Sequence, residues 1–176
     1  MSTPTTTTSP TATTSVEDEI TSRLPDLGHT FPELAALSGA LRKAVWNGPI
    51  PKTTIGLVQL RAAQIVGSTY HTVRLTGELR KAGEPEVRIG TVATWQSSPY
   101  FTDAERVALE VVEAVLTPNP FGDRVSDELF ARASVHYDAT AMWTLTMAIG
   151  HLCLFIPVAL IGKPIPGKPF GKNYSK

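Results

Sequence analysis

Cysteine is nearly absent from this chain. Cys153 is the only one in 176 residues, so no intrachain disulfide, zinc knuckle or two-cysteine redox couple can be built. An exported disulfide scaffold is excluded, and a reducing cytoplasm is the expected setting. Net charge is absent as well, because sixteen Lys and Arg offset sixteen Asp and Glu. A neutral chain carries no electrostatic footprint for nucleic acid or an anionic membrane surface. There is no Gly-x-Gly-x-x-Gly stretch and no P-loop, so no cofactor of nucleotide type is expected. No His pair stands four apart around His71, and no carboxylate lies at ligand spacing from it, so no metal is expected either. Clean apolar–polar alternation over a strand length is missing throughout. Finally, no Asp, Glu, Lys or Arg occurs from Ala139 to Gly162. That run meets the bare length of a transmembrane helix, about 20 residues. Thr140, Thr144, Thr146, His151 and Pro157 interrupt it, and a helix apolar all round equally suits the centre of a bundle or the seam of an oligomer. No membrane partner is expected.

What remains is a globular composition, 42% apolar and 18% charged, with helical periodicity almost everywhere. Residues 1–16, MSTPTTTTSPTATTSV, bury too little apolar surface to offset the entropy of ordering and are expected to be a disordered tail rather than a secretory signal. A domain over 17–162 follows, then a Pro/Gly/Lys-rich extended arm over 163–176. The domain is expected to be all-α. One helix spans about Pro32 to Val45. A longer one spans about Thr54 to Lys81 and stops at Gly83. Pro85 opens a third, with Val87, Ile89, Val92 and Trp95 on it. Thr102-Asp103-Ala104-Glu105 is a capping box at the start of a fourth. Ser126 caps a short fifth, and Asp138 caps a last one over about Ala139 to Leu160.

Three blocks stand in order along this framework. Gly56 to Leu75 reads GLVQLRAAQIVGSTYHTVRL, Arg80 to Gly83 reads RKAG, and Thr94 to Leu109 reads TWQSSPYFTDAERVAL. The order resembles the carboxymuconolactone decarboxylase and alkylhydroperoxidase D-like family, whose members carry a helix ending in Cys-x-x-Cys, an Arg-Lys-Ala-Gly turn, and a Trp followed by a Pro-Phe-Phe-Thr-x-x-Glu-Arg helix start. The resemblance covers about Thr30 to Leu160. It implies an oligomeric helical bundle, a homo-oligomer (dimer, trimer or hexamer), with a small-molecule pocket beside the motif helix. In the peroxidase branch it implies a Glu, the two thiols and a His four residues further on. Here those four positions are Gly56, Ser68, His71 and Leu75. A hydroxyl cannot cycle through sulfenic acid and disulfide, so the resemblance does not extend to thiol chemistry, and Cys153 has no partner to resolve with.

Ser68 and His71 are three apart and are expected to share a helix face. One reading makes His71 a general acid or base, since histidine titrates near neutrality, with Ser68 and Tyr70 holding substrate oxygens in the place the thiols vacate. The other reading makes it a satisfied buried histidine of a bundle helix. Thr72, His151 and Trp95 are the expected substrate contacts, with His136 structural. The function expected from this pattern is a cofactor-free lyase, decarboxylase or isomerase acting on a small, aromatic or polyketide-like metabolite. A non-catalytic binding protein is the alternative, and residual peroxidase activity a third reading.

Overall fold

A computed structural model describes residues 21–25, 27–46 and 48–168 of the protein. The 1–16 tail and residues 169–176 of the arm lie outside the described residues. Among the described residues the chain is helical and contains no strand. Its elements are α1 (Leu27–Thr30), α2 (Pro32–Trp46), α3 (Lys52–Ile65), α4 (Thr69–Lys81), α5 (Glu86–Thr91), a 3-10 segment (Val92–Ser97), α6 (Asp103–Leu116), α7 (Asp127–Ser134) and α8 (Ala139–Gly162). The expected all-α class holds.

Two expected helices divide, and the first division matters for the site. The helix expected over about Thr54 to Lys81 is two helices, broken at Gly67. There φ is +68°, a left-handed conformation that glycine adopts without the Cβ clash other residues meet. The Gly67 amide donates to the Gln64 carbonyl (3.2 Å), and the Ser68 amide donates to the Ala63 carbonyl (2.9 Å). This is a Schellman closure of α3, and Ser68 at once becomes the N-cap of α4. The same device ends α4 at Gly83, where φ is +82° and Glu84 donates to the Leu79 carbonyl. The third expected helix also divides. α5 ends at Thr91 and the 3-10 segment carries Trp95.

The core forms around α3, which packs against α4, α6 and α8. Ile55, Leu57, Val58 and Leu60 are buried, and Ala62 and Ala63 let neighbouring helices approach closely. Leu109 and Val112 of α6 and Leu145 of α8 close this core. Polar side chains fix the α5–α6 corner. Thr102 and Glu105 form the anticipated capping box. Arg88 bridges Glu84 and Glu105, its Nη2 lying 2.6 Å from Glu105 Oε1. Arg106 donates to the carbonyls of Trp95, Gln96, Ser98 and Phe101. Glu113 accepts from Arg61 (2.6 Å) and from Trp95 Nε1 (2.8 Å). Arg61, Arg88, Glu105, Arg106 and Glu113 are therefore corner fasteners.

α8 is long and apolar enough to cross a membrane by composition, and only 33% of its most apolar stretch is buried inside the protomer. Its inner face packs on α2 and α3, while Trp143, Met147, Leu154 and Ile161 face outward. At its end, the Arg23 amide and Ser22 hydroxyl both donate to the Gly162 carbonyl.

Burial raises the affinity of Glu105 for a proton, but the hydrogen bonds from Arg88 and Thr102 outweigh it and hold the carboxyl below its ordinary range. Its contribution is thus fully present above the ordinary carboxylate range and is lost as pH falls through the depressed value. Glu105→Gln should cost about 2 kcal/mol in urea unfolding at pH 7, and the gap to the native chain should narrow below pH 4. An unchanged gap at low pH would contradict this role.

Candidate functional site

α2, α4 and α8 leave a half-open cavity of about 300 Å³ between them, lined at one end by α1. Helical spacing supplies its polar lining. Ser38 and Arg42 stand four apart on α2. Tyr70 and Arg74 stand four apart on α4 with His71 between them, and His151 precedes Phe155 by one turn of α8. Leu27, Leu34, Ala35 and Phe155 make the apolar part. Among the described residues, no carboxylate lines it.

His71 is buried, 2% exposed. Its Nδ1 lies 2.9 Å from Ser68 Oγ. Ser68 is the N-cap of α4, yet its hydroxyl makes no cap bond to the backbone. It holds the imidazole instead, so Nε2 is the ring nitrogen left for the cavity. A serine hydroxyl can donate to Nδ1 or accept from it. His71 can therefore present Nε2 as donor or acceptor without losing its anchor. Tyr70 packs edge-on against the ring at 5.3 Å. Across the cavity, His151 Nε2 lies 3.3 Å from Ser38 Oγ, and Phe155 meets that ring edge-on.

The electrostatics follow from burial and two guanidinium groups. Burial, then Arg74, then His151 push His71 down to about 4. Burial, Arg74 and Arg42 also lower His151, against a smaller opposing pull from Glu78. Burial raises the Tyr70 phenol, with Arg74 opposing. At neutral pH the cavity thus holds a neutral imidazole at His71 and a protonated phenol, beside arginine charge.

Of the residues expected from sequence, Tyr70, His71 and His151 line the cavity, and Ser68 stands behind His71 without lining it. Thr72 does not line this cavity. Trp95 lies elsewhere, its indole committed to Glu113 at the α5–α6 corner. Ser38, Arg42 and Arg74 were not anticipated. For Arg74 the signal was available, since it follows Tyr70 by four residues and His71 by three. Arg42 and Ser38 come from a different helix, and only the packing of α2 against α8 reveals them.

Gly56 and Leu75, where the resemblance would place a Glu and a His, line a separate cavity of about 290 Å³ with Arg42 and Gln59. A Cβ on Gly56 would approach Leu79 Cδ2 to 2.7 Å, so a longer side chain needs Leu79 to move. A larger groove, about 690 Å³, passes His136 and Tyr137. Two of its polar groups are already engaged: the Tyr137 hydroxyl donates to the Ala104 carbonyl, and Glu105 is bound by Arg88. Cys153 is half-buried on α8, and burial raises its thiol. Among the described residues, no three His, Cys, Asp or Glu side chains cluster as a metal site.

Residues 32–114 match the carboxymuconolactone decarboxylase family. The chain is 30% identical over 122 residues to the uncharacterized protein YdfG of Bacillus subtilis (strain 168), covering 69% of this chain and 81% of that one. It is 32% identical over 104 residues to the uncharacterized protein YnjA of Escherichia coli (strain K12), covering 59% of this chain and spanning 56% of that one. Among solved structures it resembles a protein of unknown function from Agrobacterium tumefaciens, described as an antioxidant defence protein AhpD candidate. There the TM-score is 0.75 with 25% identity over 84% of this chain and 99% of that one. The debrominase Bmp8, solved with 2,3,4-tribromopyrrole, shares the fold at a TM-score of 0.69 and 18% identity, over 78% of this chain and 73% of that one.

An unfolded histidine titrates near 6.5 and native His71 near 4. Between those values the unfolded chain takes up a proton that the native state refuses. Stability is therefore complete above pH 6.5 and falls as pH drops toward 4, by at most about 3 kcal/mol from this residue. In urea titrations from pH 7 to pH 4.5, His71→Gln should lose less stability than the native chain. Parallel pH profiles would contradict a neutral native His71.

Proposed function

The chain belongs to the carboxymuconolactone decarboxylase family, and from that premise we propose that it is a cofactor-free acid/base enzyme of lyase, decarboxylase or isomerase type, acting on a small organic metabolite. The observation that carries this reading is His71, a buried neutral imidazole tied through one nitrogen to Ser68 at 2.9 Å, with its other nitrogen left for a half-open cavity.

The chemistry follows from what each group can do. His71 Nε2 removes a proton from the substrate, and Ser68 Oγ accepts from the Nδ1–H of the imidazolium that forms. The Tyr70 phenol, held protonated by burial, donates to a substrate oxygen as negative charge builds on it. The His71 imidazolium then returns its proton to a different atom of the substrate, and His151, on the opposite wall, is a neutral ring that can hydrogen-bond a second substrate oxygen. Preorganised donors of this kind act without the reorganisation water would need. The Bmp8 debrominase, which shares the fold and was solved with a small brominated pyrrole, supports a compact organic ligand. Thiol peroxidase chemistry is not supported, because Ser68 and His71 fill the thiol positions and Cys153 is the only cysteine.

The same reading includes a homo-oligomer in the cytoplasm. Trp143 and Ile161 on the outer face of α8 are 68% and 63% exposed in the protomer, a patch of the kind that marks an interface.

The acid/base reading is tested by incubating the protein in D2O with a panel of small carbonyl and aromatic acids and following deuterium incorporation by NMR. His71→Gln should lower the exchange rate about 100-fold or more. Ser68→Ala should give a smaller loss with the folded state intact. Exchange unaltered in His71→Gln would leave the protein as a binding protein. For assembly, sedimentation should show an oligomer that the double variant Trp143→Glu, Ile161→Glu dissociates. A native chain sedimenting as a monomer would contradict it.

A further inference from the structure

We propose that Arg74 and Arg42 form an anion clamp in the His71 cavity, so that its ligand is a small planar carboxylate with an apolar body. This rests on the cavity being the binding site, and it deepens the preceding reading by naming the substrate class.

Charge gives the first argument. The whole chain is neutral, yet this cavity collects two guanidinium groups, with no carboxylate lining it among the described residues. The charged and titratable groups around it are Arg42 on α2, Tyr70, His71, Arg74 and Glu78 on α4, and His151 on α8. Only Glu78 opposes the cations. It takes one nitrogen of Arg74, at 3.2 Å, in a pair about one-third exposed, where screening leaves little net binding.

The donors give the second. Arg74 Nε is buried and has no hydrogen-bond partner. A buried donor left unpaired is destabilising, and a ligand oxygen would satisfy it. Arg42 has no carboxylate partner among the described residues. Its guanidinium carbon sits 4.3 Å above the Trp46 ring. Stacking of this kind orients the plane and leaves the N–H groups available. Planar forks of fixed N–H donors match the two oxygens of a carboxylate. The volume, about 300 Å³, is at the small end for ligand sites, and Leu34 and Phe155 offer the apolar surface that a ring or short chain needs.

The clamp also explains how a weak base becomes useful. Arg74 helps to hold the imidazole neutral. A carboxylate bound at Arg74 offsets that field, so the substrate itself raises the basicity of His71 at the moment proton transfer is required.

The probes are benzoate and its neutral counterpart benzamide, followed through the histidine ring signals by NMR in the native chain, Arg74→Gln, Arg42→Gln and His71→Gln. Benzoate should give saturable shifts at His71 and His151 and bind at least about 10-fold more tightly than benzamide. Arg74→Gln should weaken benzoate about 10-fold or more, and Arg42→Gln by less. Circular dichroism checks that each variant is folded. Equal binding of the two probes, no saturable shift with benzoate, or native affinity in both arginine variants would overturn the clamp. The two readings separate in His71→Gln. Retained benzoate binding with unaltered deuterium exchange removes the acid/base chemistry and keeps the clamp. Lost exchange with benzamide bound as tightly as benzoate does the reverse.

Discussion

At Gly67 the backbone turns left-handed, and the α3–α4 junction takes its shape from that one residue. The Schellman bonds from Gly67 and Ser68 satisfy carbonyls that the end of α3 would otherwise leave open. They also release Ser68 from the helix interior into the N-cap position. From there its hydroxyl reaches His71 Nδ1 rather than the backbone. A continuous helix would keep Ser68 within its regular hydrogen-bond ladder. The break swings α4 into its own direction, and Tyr70, His71 and Arg74 turn together toward α2 and α8.

A neutral imidazole beside arginine charge follows from that arrangement. Ordinary histidine would share its charge between forms near neutrality. Here burial and the Arg74 field act in the same direction and hold His71 neutral. A group in that state donates or accepts at Nε2 without adding charge to a cavity that already contains two cations. The rest of the fold serves rigidity. Arg88 ties α5 to α6, and Arg106 and Glu113 tie the 3-10 segment to α6. The buried face of α3 then fixes how α4 and α8 stand across the cavity.

The all-α class, the Thr102–Glu105 capping box and the stop at Gly83 were legible in the sequence because each depends on neighbours within a few residues. The break at Gly67 was legible too, since Gly followed by Ser-Thr is a helix stop joined to an N-cap, but the apolar stripe running past it suggests one helix. Tyr70, His71 and His151 could be picked out as titratable or polar side chains on helical faces. Trp95 and Thr72 could not be excluded from the site, because the fold of α5 into a 3-10 segment and the rotation of α4 decide where they point. Ser38 and Arg42 carry no local signal. Their role exists only because α2 packs across α8, a contact between residues more than a hundred positions apart.

The account depends on His71 being neutral in the folded protein and open to the cavity through Nε2. Titration of the His71 ring nitrogens by NMR measures this directly. A midpoint near pH 4, with a neutral ring throughout pH 6 to 8, is the result the account predicts. A midpoint near 6.5, the value of a solvent-exposed histidine, would contradict it.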